Sequence, residues 1–305
     1  MFSIKTENLK LELEVVPVES LFIHERILPG IAEQLVLEFK NLANLENPII
    51  VDRSGIVLDG SHRTYVFKAL DFKYIPVCRI DYFHRDTELR YWFRLLGDIK
   101  DRDWIREVVE KLGGTLQEVT DRESLEKMLE EDCYRCGVQQ GSFFAVITFS
   151  EHVVNDAVSA YDMLEKIQDR LTKKGMVLEY IPCQYVYDDE FCQALKDHEI
   201  VLWTPQITKE MVVEAARKEK VFAPKSTRHL IPARPLNVNV PTHWFKEDIP
   251  LEEINERFTR FLEGKEMRRL SPGQVIDGRY YEEELFVFFD KRGSTYNQKR
   301  LANKA

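Results

Sequence analysis

An apolar extended run ends at Leu58 and passes through Asp59-Gly60-Ser61-His62-Arg63 into a helical pattern. This junction constrains the chain more than any other stretch. A strand feeding directly into a helix needs a tight turn, and glycine supplies the backbone freedom for it and for close approach of a ligand. The first N–H groups of a helix lack intrahelical partners and carry the positive end of the helix dipole, which suits an anion. Ser61, His62 and Arg63 add side-chain donors. The bland alternative is that Asp59 merely caps the helix and Arg63 merely faces water. Far along the chain, Pro224-Lys225-Ser226-Thr227-Arg228-His229 carries related chemistry. Its Lys and Arg supply charge, with Arg able to grip phosphate through paired hydrogen bonds, and its hydroxyls add donors. A solvated basic loop is the bland alternative there. Together the two segments point to the phosphates of a small ligand. The net charge of −9 argues against general attraction to nucleic acid or an anionic membrane, while leaving room for a local basic pocket.

The flanking pattern gives the architecture. Residues 9–18 alternate apolar and charged positions and predict a strand, and 31–40 predict a short helix. Ile49–Val51 and Ile56–Leu58, joined by Asp52-Arg53-Ser54-Gly55, predict a hairpin. A helix is expected from Gly60 to about Leu70, with Val66, Phe67 and Leu70 inward, and a strand at 74–80. Beyond Gly97, helices are expected at 101–112, 121–131, 156–173, 188–197 and 208–219. Strands at 143–149, 177–181 and 199–203 alternate with them, predicting an α/β unit over 98–218. Short extended segments follow over 219–245, then a helix from Pro250 to about Leu262. The tail after 291 is polar and basic, with the character of a disordered end. The expected fold class is α/β (α+β), with a second α/β domain inserted in the first.

Other residues have plainer readings. His24-Glu25 follows the apolar Leu21-Phe22-Ile23, and a carboxylate at a strand end can act as a general base if a hydroxyl comes within reach. Cys133 and Cys136 form one C-x-x-C, half of the ligand set that structural zinc requires; Cys183, Cys192 and His198 are not required by spacing to complete it. Phe286, Phe288 and Phe289 around Val287 predict a core strand, and Glu282-Glu283-Glu284 a solvated face. Five cysteines in a chain of this length fit a reduced, cytoplasmic protein. No stretch reads as a secretory signal or a membrane span.

Taken in order, His24-Glu25, Asp59-Gly60-Ser61-His62-Arg63 and Ala223-Pro224-Lys225-Ser226-Thr227-Arg228-His229 resemble the ParB/sulfiredoxin-like superfamily and, within it, the free L-serine kinases. The family pattern is a His-Glu pair after the first strand, a D-G-x-H-R motif and a late S/A-P-K-x-T-R-H segment. Asp81-Tyr82-Phe83 and the later Trp92 add to the likeness. D-G-x-H-R alone marks the superfamily; the three motifs together are more specific to the kinases. The resemblance covers 1–97 and 219–245 well and 98–218 loosely, and leaves 250–305 unplaced. It implies a ParB/sulfiredoxin-like domain over 1–97, a second domain over 98–218, a return segment over 219–249 completing the active-site cleft, and a C-terminal helix and polar tail over 250–305.

The activity it implies is transfer of the terminal phosphoryl group of ATP or ADP to the hydroxyl of free L-serine. Glu25 would act as base and Asp59 would orient a metal-bound water or the substrate. Gly60, Ser61, His62, Arg63, Lys225, Ser226 and Arg228 would hold phosphates, and Trp92, Thr227 and His229 the amino acid. Mg²⁺ would arrive through the nucleotide phosphates, with no protein metal site. Sulfiredoxin chemistry lacks its cysteine, because Ser61 stands in that position. A DNA-binding ParB role lacks a recognition helix and a basic surface, so no nucleic-acid partner is expected. The alternatives are a non-enzymatic, nucleotide-binding ParB-like regulator, or a kinase of a related small hydroxyl compound.

Overall fold

A computed structural model describes residues 1–6, 10–99, 101–195 and 199–291. The tail after 291 and His198 lie outside them. The chain divides into two compact units. The first contains Met1–Ile23, Ile27–Glu88 and the chain from His229 onward; the second contains His24–Arg26 and Leu89–Arg228.

The first unit is built on a five-stranded sheet in the order Phe2–Lys5, Lys10–Pro17, Tyr74–Ile80, Ile49–Asp52, Val57–Asp59. All its pairings are antiparallel except that of Ile49–Asp52 with Tyr74–Ile80. The alternation of residues 10–17 has its expected result: Leu11, Leu13 and Val15 are buried, while Glu14 on the other face pairs with Arg79 of the neighbouring strand. The helix Ser61–Ala69 buries Thr64, Val66 and Phe67. Phe67 meets Phe39, Phe72 and Phe245 at ring-centroid distances of 5.9, 4.5 and 6.1 Å, so one aromatic side chain ties three other segments together.

The C-terminal region continues this unit. Phe2 is opposite Leu13, so the first strand runs out before Val15. There Asn255 of the helix Leu251–Glu263 takes over the exposed edge, accepting from the Val15 N–H at 2.9 Å and donating to its carbonyl at 2.8 Å. Ala233–Leu236 pairs in parallel with Glu284–Asp290, which pairs antiparallel with Lys265–Leu270. Phe286, Val287 and Phe288 are buried as expected of a core strand. The acidic run needs correcting. Glu282 is exposed, but Glu283 turns inward to Arg234 at 2.8 Å, with side-chain exposures of 10% and 8%. A buried guanidinium demands a carboxylate partner, and Glu283 is one of two that Arg234 has.

The second unit has a six-stranded sheet in the order Val177–Pro182, Trp92–Gly97, Ile200–Trp203, Cys136–Gln140, Phe143–Phe149, Gly114–Val119. Every pairing in it is antiparallel. The alternation of helices and strands therefore builds an α+β sheet, not a parallel one. The helices Asp103–Lys111, Arg122–Glu131, Ala157–Lys173 and Lys209–Arg217 form near their expected positions, while Asp189–Ala194 is shorter than expected. Trp203 is fully buried and stacks on Phe93 at 5.0 Å. No helix among the described residues is long and apolar enough to cross a membrane.

Candidate active site

In the second unit, the catalytic candidates are assembled by a single short pairing. Phe222 donates its N–H to the His24 carbonyl at 2.8 Å, and Arg26 donates to the Phe222 carbonyl at 2.9 Å. This bridge draws residues 24–26 beside the run 223–228. Arg26 adds a tether to the helix Ala157–Lys173, bridging Asp162 at 2.9 Å and Glu165 at 2.6 Å. Glu25 then receives two hydrogen bonds on one carboxylate oxygen. The Thr227 N–H and the Thr227 hydroxyl both donate to Oε1 at 2.6 Å. The Thr227 hydroxyl, in a residue only 8% exposed, also lies 2.8 Å from Nε2 of buried His24.

The rest of the run divides into buried supports and outward charge. Lys225 adopts a left-handed backbone, φ +59°, an uncommon state for a non-glycine residue. Its Nζ stands over the Trp92 ring at 5.0 Å, and the Arg228 guanidinium stands over the same ring at 5.5 Å. Two cations share one aromatic platform, which concentrates positive charge around Trp92. Ser226 is fully buried and donates to the Ala223 carbonyl at 2.6 Å. The expectation that its hydroxyl grips phosphate is corrected: the hydroxyl closes the turn instead. The hydroxyl of fully buried Tyr161 lies 3.1 Å from the Ser226 carbonyl, and Arg94 reaches the Pro224 carbonyl at 3.5 Å. Tyr161, Arg94 and Arg26 were not singled out in the sequence. The available signal was Arg94 inside the apolar run Trp92-Phe93-Arg94-Leu95-Leu96, since a charge there must have a buried task.

In the first unit, Gly60 occupies the N-cap of the helix Ser61–Ala69 at φ +108°, and no side chain caps this end. The reading of Asp59 as the cap is therefore set aside. A Cβ on Gly60 would lie 2.5 Å from Cγ2 of Ile49, so glycine is required by contact as well as by conformation. Asp59 instead pairs with Arg234, and Arg63 lies 3.5 Å from the same carboxylate oxygen. Burial pushes the Asp59 carboxyl up, but the charges of Arg234 and Arg63 prevail and hold it well below the usual carboxylate range. Arg63 also donates to the Asn47 carbonyl at 2.7 Å, so it fixes the entry to the strand Ile49–Asp52. Nε2 of His62 accepts from the Leu28 N–H at 3.2 Å, which places the ring proton on Nδ1 when His62 is neutral. Ser61 begins the helix. His229 lies 2.8 Å from the Tyr82 hydroxyl through its Nε2. Arg234 and Glu283 were also missed in the sequence; Arg234 is another charge within an apolar stretch.

The cysteines do not gather. Among the described residues there is no group of three or more Cys, His, Asp or Glu suited to a metal ion. Burial pushes the Cys136 thiol up to about 12, which keeps it a neutral thiol.

No family model matches the chain. The chain is 27% identical over 236 residues to a protein of Staphylothermus marinus named ATP-dependent L-serine kinase, covering 74% of this chain and 88% of the relative. It is 25% identical over 189 residues to the ADP-dependent L-serine kinase SerK of Thermococcus kodakarensis, covering 61% of this chain and 71% of the relative. Among solved structures, a free serine kinase in complex with AMP superposes with a TM-score of 0.61 at 20% identity, over 76% of this chain and 93% of that one. The fold is thus that of the free serine kinase structures. The chain itself is a sequence relative of the L-serine kinases, as its three motifs led one to expect.

Proposed function

We propose that this chain is a nucleotide-dependent kinase that transfers a terminal phosphoryl group to the hydroxyl of free L-serine, giving O-phospho-L-serine. The observation that carries the reading is the local assembly of base and charge around 223–228: Thr227 pins Glu25 through one oxygen, while Lys225 and Arg228 both stand over Trp92. Phosphoryl transfer asks chiefly for positioning and for charge opposite the phosphates. Glu25 takes the proton of the serine hydroxyl as that oxygen attacks phosphorus in line. The bond from phosphorus to the bridging oxygen breaks, and the shortened nucleotide leaves with the electron pair. In the second unit Lys225 and Arg228 supply charge to the phosphates; in the first, the N–H groups at the start of the helix Ser61–Ala69 offer donors to an anion, and His62 and Arg63 hold the loop around Gly60. Trp92 contributes to the amino-acid pocket.

Mg²⁺ belongs to this reading as part of the substrate, bound to the nucleotide phosphates and offsetting their charge. Ionised Asp59 has the hard oxygen chemistry to orient a water on that ion. ATP is the proposed donor, with ADP as the competing choice, since relatives are named for each. Five free cysteines fit a reducing, cytoplasmic setting. The test is phosphorus NMR of the purified protein with Mg²⁺, L-serine and either ATP or ADP. A new phosphomonoester signal matching O-phosphoserine is expected with one donor. Nucleotide consumed only with another hydroxyl compound changes the acceptor, and nucleotide left intact with every acceptor overturns the kinase.

A further inference from the structure

The hydrogen-bond chain behind Glu25 has a definite proton arrangement. The Thr227 hydroxyl has one proton and two close neighbours, Oε1 of Glu25 at 2.6 Å and Nε2 of His24 at 2.8 Å. An ionised Glu25 can only accept, so the Thr227 proton points to it. The short contact to His24 is then a hydrogen bond only if Nε2 carries a proton and donates it to the Thr227 oxygen. His24 is 2% exposed, so water does not offer an easy substitute for this partner.

We propose that His24 is a positioning residue for phosphoryl transfer: its Nε2–H orients the Thr227 hydroxyl, which in turn fixes the Glu25 carboxylate through Oε1 and presents Oε2 to the acceptor hydroxyl. No proton travels along this chain. The serine proton goes to Oε2 of Glu25, and the His24 and Thr227 protons stay where they are. The arrangement does for a carboxylate base what an orienting partner does for a catalytic imidazole. It also gives Thr227 a task other than direct contact with substrate. The inference rests on the kinase reading, in which Glu25 is the base.

The test is a double-mutant cycle. His24→Leu is expected to lower kcat about tenfold with little change in KM for nucleotide or serine. His24→Gln, whose amide can donate from a similar distance, is expected to restore most of that loss. In a Thr227→Val background, His24→Leu should cost less than about twofold, because the link it acts through is already gone. An equal loss in both backgrounds, or His24→Gln as slow as His24→Leu, assigns His24 to packing alone and overturns the proposal. Should His24→Leu not fold, Thr227→Val against Thr227→Ser gives the same discrimination: only the serine variant keeps the link and should recover most of the kcat that the valine variant loses. Nitrogen NMR of the imidazole rings gives a readout separate from activity. The His24 resonance, identified by its absence in His24→Gln, should report a proton on Nε2. An unprotonated Nε2 sinks the relay even if the wild-type protein phosphorylates serine. A protein inactive on serine sinks the kinase reading whatever the NMR shows.

Discussion

Glu25 and Gly60 make opposite demands on substitution. Glu25→Gln keeps the size of the side chain and both Thr227 contacts in reach, yet removes a base. It is expected to retain nucleotide affinity in calorimetry and to lose about 10²–10⁴-fold in turnover. Normal turnover would remove Glu25 from the mechanism. At Gly60 the obstacle is steric: a methyl group would enter Ile49 at 2.5 Å in a backbone held at φ +108°. Gly60→Ala should destabilise the first unit by about 2–4 kcal/mol, measured by denaturant titration. Gly60 was legible in the sequence because glycine before a helix has few interpretations, whereas a carboxylate after a strand is a weak signal by itself and Glu25 stood out only through the resemblance of the three motifs. The supports of the site were not legible. Arg26, Tyr161 and Arg234 act through partners distant in sequence, and no spacing rule reaches that far. Ser226 was misread because a hydroxyl in a basic run looks available until its burial is known.

Among the elements, the clearest in sequence were those with both a period and a punctuation mark. Residues 10–17 alternate, the hairpin before Asp59 has its Ser-Gly turn, and Pro250 opens the helix Leu251–Glu263. Trp92–Gly97 hid because Arg94 interrupts its apolar face, although Arg94 is buried. Cys136–Gln140 hid because Gln139 looks like a surface residue; it is buried and accepts from the Trp203 indole at 3.1 Å. Asp277-Gly278, both at positive φ between Gln274–Ile276 and Arg279–Tyr281, was a readable hairpin signal that went unused. Two tests belong at this scale. Asp156 and Ser159 form a capping box on the helix Ala157–Lys173, so Asp156→Ala should cost the second unit about 1 kcal/mol in urea unfolding. Glu283→Gln leaves Arg234 with one carboxylate, and should cost the first unit about 3 kcal/mol; a neutral result would mean that Asp59 alone satisfies Arg234.

For the molecule as a whole, Asp59 sets an acid limit. Its folded-state carboxyl lies below the unfolded value, so its ion pairs stabilise the first unit above the ordinary carboxylate range, about pH 4. That stability is lost as pH falls through the folded-state value. Asp59→Asn should therefore flatten the acid side of the first unit's thermal stability profile while leaving its slope above pH ~6 unchanged. The order in which the units use the chain has a further effect during synthesis. The five-stranded sheet is complete in sequence by Ile80, yet Arg234 and Glu283 emerge only after all of Leu89–Arg228 has been made. At roughly 5–20 residues per second, the ribosome needs on the order of ten seconds to deliver the counter-charge of Asp59. Until then the D-G-S-H-R turn can exist as a nascent fold with its carboxylate facing Arg63 alone, and it reaches its final electrostatic state only once Arg234 and Glu283 have been made.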